Sequence, residues 1–427
     1  MLSRPHTSEL SPMYNAHWSD DDDTYTVIPS GYRLPTPLNT IHHNWMDPNN
    51  HQNSLLQHYM KHVLPIQFSH AEGSIDIIVW TLIHSSNTAR EAACLLADLH
   101  LRSTTQSGSI GYNTPEDRDV YRHAQRAMKP VTEGDAFASL CMVSYLRFSG
   151  GQWRWQAFLD GACRFSLALL EGKHTSPASA LMSCTESMRF IIKTSMWFDV
   201  LASATQIRRP MFEVLHSLYD PSGIALVDGR PELSMMDVMG CDTNIVIALA
   251  EIAGLAYWKE ARSRTGSLSV PELVRRGQRI EAILNNTNVN NHSHGAETEK
   301  SRRRRLTSDV FRSSALVYLH SVLSGDHPLC PEILYNVTET IKCLGRTEDV
   351  GTARHVVRSV VFSICVCGCL TDDPAFRGYF LQLLQELQME TVGNCALVCD
   401  LMRRVWTSRE GGTPVDWRVV MREILLV

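Results

Sequence analysis

Residues 239–263 read MGCDTNIVIALAEIAGLAYWKEARS. From Ile245 to Tyr257 the run is apolar apart from Glu251, and it is the longest such run in the chain. It falls short of the ~18 residues a membrane span needs, so no transmembrane segment is expected. It closes on Lys259, Glu260 and Arg262. The spacing predicts a helix over 246–263, one of the most apolar in the chain.

Helical periodicity continues on both sides. SLLQHYMKHVLPIQF (54–68) places Leu55, Tyr59, His62 and Val63 at amphipathic spacing. Asn87 can cap the segment 87–103, and Asn113-Thr114-Pro115-Glu116 reads as another helix start with proline just inside it. Further helices are predicted over 135–148, 152–170, 182–204, 308–324, 331–344, 353–370, 374–389 and 391–408, with a short last one from Asp416. Residues 270–284 form a helix with Arg275, Arg276, Arg279 and Glu281 on its outer side. A Pro/Gly/Asp-rich connection spans 210–239, and Gly223–Asp228 is the single short strand candidate. No fixed period repeats, which argues against a regular solenoid. The expected fold is all-α, one large domain over 53–427. Residues 1–52, with six prolines before position 50 and the acidic run Asp20–Asp23, are expected to be a disordered tail. Residues 285–304 are expected to be a disordered basic insert.

The 427 residues carry 40 Lys+Arg against 45 Asp+Glu, a net charge of −5, which excludes a chain that is basic throughout. Its 12 cysteines begin at Cys94, contain no C-x-x-C, and nearly all sit singly in apolar patterns, as buried free thiols of a reducing compartment do. The opening MLSRPHTSELSPMYNAHW has no apolar core of a secretory signal, so the sequons at Asn285, Asn291 and Asn336 are expected to be unused.

Catalysis finds no foothold. G-x-S-x-G, phosphate-loop and dinucleotide fingerprints are absent. Asp372-Asp373-Pro374 reads as a helix cap. In CVCGC only Cys365 and Cys369 share a helical face, and Cys395 with Cys399 would have to complete a zinc site. His58 and His62 have metal-ligand spacing without the Glu of H-E-x-x-H, and His292 with His294 lies in the polar insert. No catalytic residue, cofactor or metal is therefore expected. The strongest charge feature is Lys300-Ser301-Arg302-Arg303-Arg304-Arg305. Lys300, Arg302, Arg303, Arg304 and Arg305 form a candidate nuclear-import run, although consecutive arginines contact phosphates without reading bases.

Seven segments occur in an order that resembles the fungal-specific transcription factor domain. They are HYMKHVLPIQF (58–68), WRWQAFLDGACRFSLAL (153–169), WFDVLASATQIRRPMF (197–212) and MGCDTNIVIALAEIAGLAYWKEA (239–261), followed by DVFRSSALVYLHSVLSGDHPLCPEI (309–333), VVFSICVCGCLTDDPAFRGYF (360–380) and DWRVVM (416–421). The resemblance implies a nuclear regulator of RNA polymerase II genes, often dimeric and in some members metabolite-sensing. That family's DNA-reading module is a six-cysteine binuclear zinc cluster, whereas residues 1–93 hold no cysteine. DNA binding is therefore expected to come from a partner or from a missing N-terminal zinc cluster. The expected partners are a second copy or a zinc-cluster transcription factor, DNA only indirectly, and a small-molecule effector, with no membrane. A helical scaffold or metabolite sensor that never meets DNA is the alternative. If an effector binds, the helix from Asp242 to Trp258 is the first place to seek pocket walls.

Overall fold

Pro65 has no backbone N–H to offer Lys61, and the chain widens into a π-helix over Tyr59–Val63 just before it. This turn joins α1 (Pro48–His58) to α2 (Leu64–Gln67). It also aims Tyr59 inward, where its hydroxyl donates to Gln67 Oε1 at 2.8 Å and Gln67 Nε2 donates to Ser144 Oγ at 3.0 Å. The computed structural model describes residues 48–70, 73–105, 129–149, 155–172, 176–212, 231–286, 298–346, 350–390, 392–412 and 416–422. The predicted acidic segment, the helix start at Asn113, the strand candidate 223–228, and His292 with His294 all lie outside the described residues.

The described residues are helical, with no strand among them, as the periodicity predicts. After α3 (Gly73–Ser85) and α4 (Asn87–Thr105) come α5 (Glu133–Phe148), α6 (Gln156–Leu170), α7 (Pro177–Ser183) and α8 (Glu186–Gln206). A 3-10 turn at Pro231–Leu233 and α9 (Met236–Met239) lead to α10 (Thr243–Arg264) and α11 (Val270–Asn286). Then follow α12 (Glu299–Ser324), α13 (Pro331–Gly345), α14 (Val350–Ser359), α15 (Val361–Cys369), α16 (Pro374–Glu390), α17 (Cys395–Glu410) and α18 (Trp417–Met421).

Burial explains the order of packing. Phe190–Thr205 of α8 and Ser313–Val322 of α12 are buried without interruption, so both helices run through the interior. Successive helices pack against one another: α5 on α4 and α6, α8 on α6 and α10, α12 on α10, α13 and α15. The end of the described chain returns to the middle, with α18 lying on α8. Trp417 meets Tyr318 edge-on with centroids 5.8 Å apart, and its Nε1 donates to Asp326 Oδ1 at 3.1 Å. Trp417 and Met421 of the DWRVVM segment are thus buried, while Val419 is exposed.

Helices differ from expectation in several places: α3 and α9 fall where none was expected, and four boundaries move for local reasons. Residues 182–204 are interrupted at Cys184, where Thr185 caps α8 by accepting from Met188 N–H. The stretch 353–370 is two helices, because Val360 leaves helical geometry at φ −117° and ψ 25°. Residues 48–52, placed in the tail, are the start of α1. In the segment 285–304, Asn285 and Asn286 end α11 and residues 299–304 open α12. Composition alone could not reveal that last helix, because the His70 and Arg346 carbonyls that hold it come from elsewhere in the chain.

Candidate functional site

A cleft of about 490 Å³ opens where α10, α11 and the strap after α8 meet. Its α10 wall is a single helical stripe, Ala250, Gly254 and Trp258, with Glu251 and Leu255 beside it. Gly254 keeps that wall low: a Cβ built there meets nothing within 4 Å. The floor is apolar, formed by buried Phe212, Leu255 and Ile280.

The strap is fixed by one buried carboxylate. α8 ends at Ile207, whose left-handed φ of 51° turns the chain back. Asp199, fully buried about two turns earlier, accepts from Met211 N–H at 2.6 Å and Phe212 N–H at 3.2 Å. Arg208 Nη1 pairs with its other oxygen at 2.7 Å. Burial raises the Asp199 pKa, and Arg208 and the two amides oppose that rise. The motif DVLASATQIRRPMF therefore has a local physical meaning: its Asp positions Arg209, Pro210 and Phe212 in the cleft wall.

The opposite wall supplies charge. α11 turns Leu273, Gly277, Ile280 and Leu284 inward. Gly277 permits the close approach, since a Cβ there would lie 2.7 Å from the Leu323 methyls. Arg275, Arg276 and Arg279 then stand along the cleft, as their predicted outer-side placement allows. Arg275 and Arg276 share Glu272 at 2.7–2.9 Å, which holds that carboxylate below the usual range. Arg276 also lies 4.5 Å over the Trp258 ring, a cation–π contact at the edge of the floor. Arg279 makes no ion pair or hydrogen bond among the described residues. An apolar floor beneath several guanidinium groups can hold a small molecule that is greasy at one end and anionic at the other.

The polybasic run is built differently from an exposed tail. Thr298 caps α12 by accepting from Ser301 N–H at 3.2 Å, and Lys300, Arg302, Arg303, Arg304 and Arg305 occupy its first two turns. Arg304 Nη2 donates to His70 O at 3.0 Å, Arg302 Nη2 to Arg346 O at 3.3 Å, and Arg303 pairs with Glu299 at 3.7 Å. Burial pushes the His70 pKa down to about 3, with Arg304 and Arg303 adding to the effect. Its neutral ring meets Thr307 Oγ1 at 3.2 Å. The run and the cleft are assembled from different helix pairs.

The other sequence candidates separate. Asp373 caps α16, accepting from Ala375 N–H at 2.8 Å, as predicted for the aspartate pair. Asp372 instead accepts from both Arg377 and Arg409 at 2.7 Å. Cys365, Cys367 and Cys369 are all buried, and burial pushes the Cys367 thiol up to about 12. His58 and His62 gain a third imidazole that spacing could not reveal. His58 Nε2 and His100 Nδ1 lie 3.0 Å apart, and the His58 and His62 ring centroids are 4.7 Å apart. The contact engages one nitrogen of each ring, and burial lowers the His100 pKa to about 4. No group of three or more His, Cys, Asp or Glu among the described residues is arranged to hold a metal ion. No helix among them is long and apolar enough to cross a membrane.

Arg209, Pro210, Phe212, Ile280 and Ile283 are the cleft residues that sequence reasoning missed, whereas Ala250, Glu251, Gly254, Leu255 and Trp258 lie on the helix from Asp242 to Trp258 where pocket walls were to be sought.

Comparison with known proteins places this geometry in a family. The fungal specific transcription factor domain matches residues 54–426, and the chain belongs to that family of fungal transcription regulators. It is 24% identical over 407 residues to a trichothecene biosynthesis transcription regulator of Trichoderma arundinaceum, covering 84% of this chain and 92% of that protein. A regulator of the same name from Fusarium sporotrichioides is 23% identical over 413 residues, covering 87% and 95%. The ustiloxin B cluster transcription factor of Aspergillus flavus is 21% identical over 429 residues, covering 87% and 71%. No solved structure matches the chain.

Proposed function

We propose that this family member is a nuclear regulator of RNA polymerase II transcription, acting through its helical domain and not as an enzyme. DNA is read for it by a zinc-cluster partner, or by a zinc cluster N-terminal to the present sequence. Its targets are a set of biosynthetic genes, by analogy with the relatives named for trichothecene biosynthesis and the ustiloxin B cluster. The observation that carries the reading is the continuous family match across 54–426. The Asp199 strap and the buried Trp417 support it, because they give structural work to two of the recognised segments.

Chromatin immunoprecipitation of the tagged chain tests the reading. Enrichment at a limited set of biosynthetic promoters, lost when the partner is deleted, is the expected result. Absence from every promoter would leave the scaffold alternative standing. Nuclear delivery is assigned to Lys300, Arg302, Arg303, Arg304 and Arg305. Substitution to Gln at Lys300, Arg302 and Arg305 tests this better than deletion, since removing six residues shifts the α12 register by about one and two-thirds turns. Cytoplasmic retention of a folded variant is expected; unchanged nuclear accumulation would refute the import role.

A further inference from the structure

We infer that the cleft between α10, α11 and the Asp199-held strap is a binding site for one small amphipathic anion, an aromatic or branched aliphatic carboxylate, sulfonate or phosphate ester. Three observations converge on that class. The first is size: about 490 Å³ lies within the range of small-molecule sites and is too small for a folded partner. The second is the floor. Phe212, Leu255 and Ile280 are buried side chains, yet the stripe above them carries glycine at position 254, where helix formation alone favours alanine. The missing side chain leaves room for a ring or a branched chain against Trp258.

The third is charge. Arg276 is held by Glu272 and Trp258, so its guanidinium is oriented before any ligand arrives. Arg279 stands one turn further along the same wall and makes no ion pair among the described residues. A carboxylate or phosphate between them would receive charge-assisted hydrogen bonds from planar donors suited to it. The site stands whether or not the chain acts at promoters.

Fluorescence titration of the full chain with 8-anilinonaphthalene-1-sulfonate, an aromatic anion, tests the inference, with neutral N-phenyl-1-naphthylamine as the control. The expected result is one saturable sulfonate site whose affinity falls as salt is raised. Arg276→Gln with Arg279→Gln should weaken the sulfonate by about tenfold or more while the neutral probe changes by less than about threefold. Gly254→Phe should abolish both signals, and Gly254→Leu, a smaller filling, guards against a folding defect that circular dichroism would reveal. Absence of saturable binding to the wild-type chain overturns the site. So does equal binding to the filled variants, which would put the probe elsewhere. An arginine pair whose loss affects both probes alike would remove the anion from the assignment.

Discussion

Asp199 is the residue on which the cleft's geometry turns, because one fully buried carboxylate satisfies two amides and one guanidinium. Asp199→Ala leaves those donors without their acceptor and should lower unfolding free energy by about 3–5 kcal/mol in a denaturant titration. Asp199→Asn keeps an acceptor oxygen and should cost less. Gly254→Ala runs the other way: the added methyl meets no neighbour, so it should stabilise by about 0.5–1 kcal/mol, read as a raised Tm. A fall in Tm would mean that the wall is tighter than its geometry indicates. Asp199 was visible within WFDVLASATQIRRPMF, but its role was not, since Met211 and Phe212 reach it only after Ile207 reverses the chain.

At the scale of the element, α12 begins against the helix dipole. Cations in a first turn are disfavoured by the partial positive charge there, yet four arginines and a lysine occupy the first two turns. Thr298 at the cap, Glu299 beside it, and the His70 and Arg346 carbonyls offset the cost. Thr298→Ala should therefore destabilise this end by about 1 kcal/mol, seen as faster amide exchange confined to residues near 299–306. Exchange that quickens along the whole helix would show instead that α12 opens as one unit. The same balance explains why the polar string 285–304 reads as disordered. It has almost no apolar face of its own, and its last residues are helical because His70 and the end of α13 hold them from outside. The separate helices at 177–206 have a similar cause, for Thr185 caps locally where the apolar pattern runs on.

Across the whole molecule, the later helices are tied by Asp372, which joins Arg377 of α16 to Arg409 of α17; Arg409 also reaches Cys369 O at 2.6 Å. Burial alone would raise the Asp372 pKa, but the two arginines together hold it below the usual carboxylate range. The folded-state value is depressed, so its stabilisation is fully present above the unfolded value of about 4 and is lost as pH falls through the folded one. Asp372→Asn should thus be less stable than wild type at pH 7, with the difference closing on acidification, measurable by thermal melts between pH 7 and 2. A constant difference across that range would assign the residue's contribution to shape instead of charge. By itself, the sequence determined the helical class and the burial of α10, because an apolar run of that length and period can satisfy its backbone only within itself and its side chains only in an interior. It also determined family, through ordered segments that each retain a packing task. Tertiary structure alone decided that Arg275, Arg276 and Arg279 face the α10 stripe, that His100 joins His58, and that the basic run is a helix. These pairings depend on distances between residues far apart along the chain, and local periodicity specifies which side of a helix is apolar without specifying what will stand opposite it.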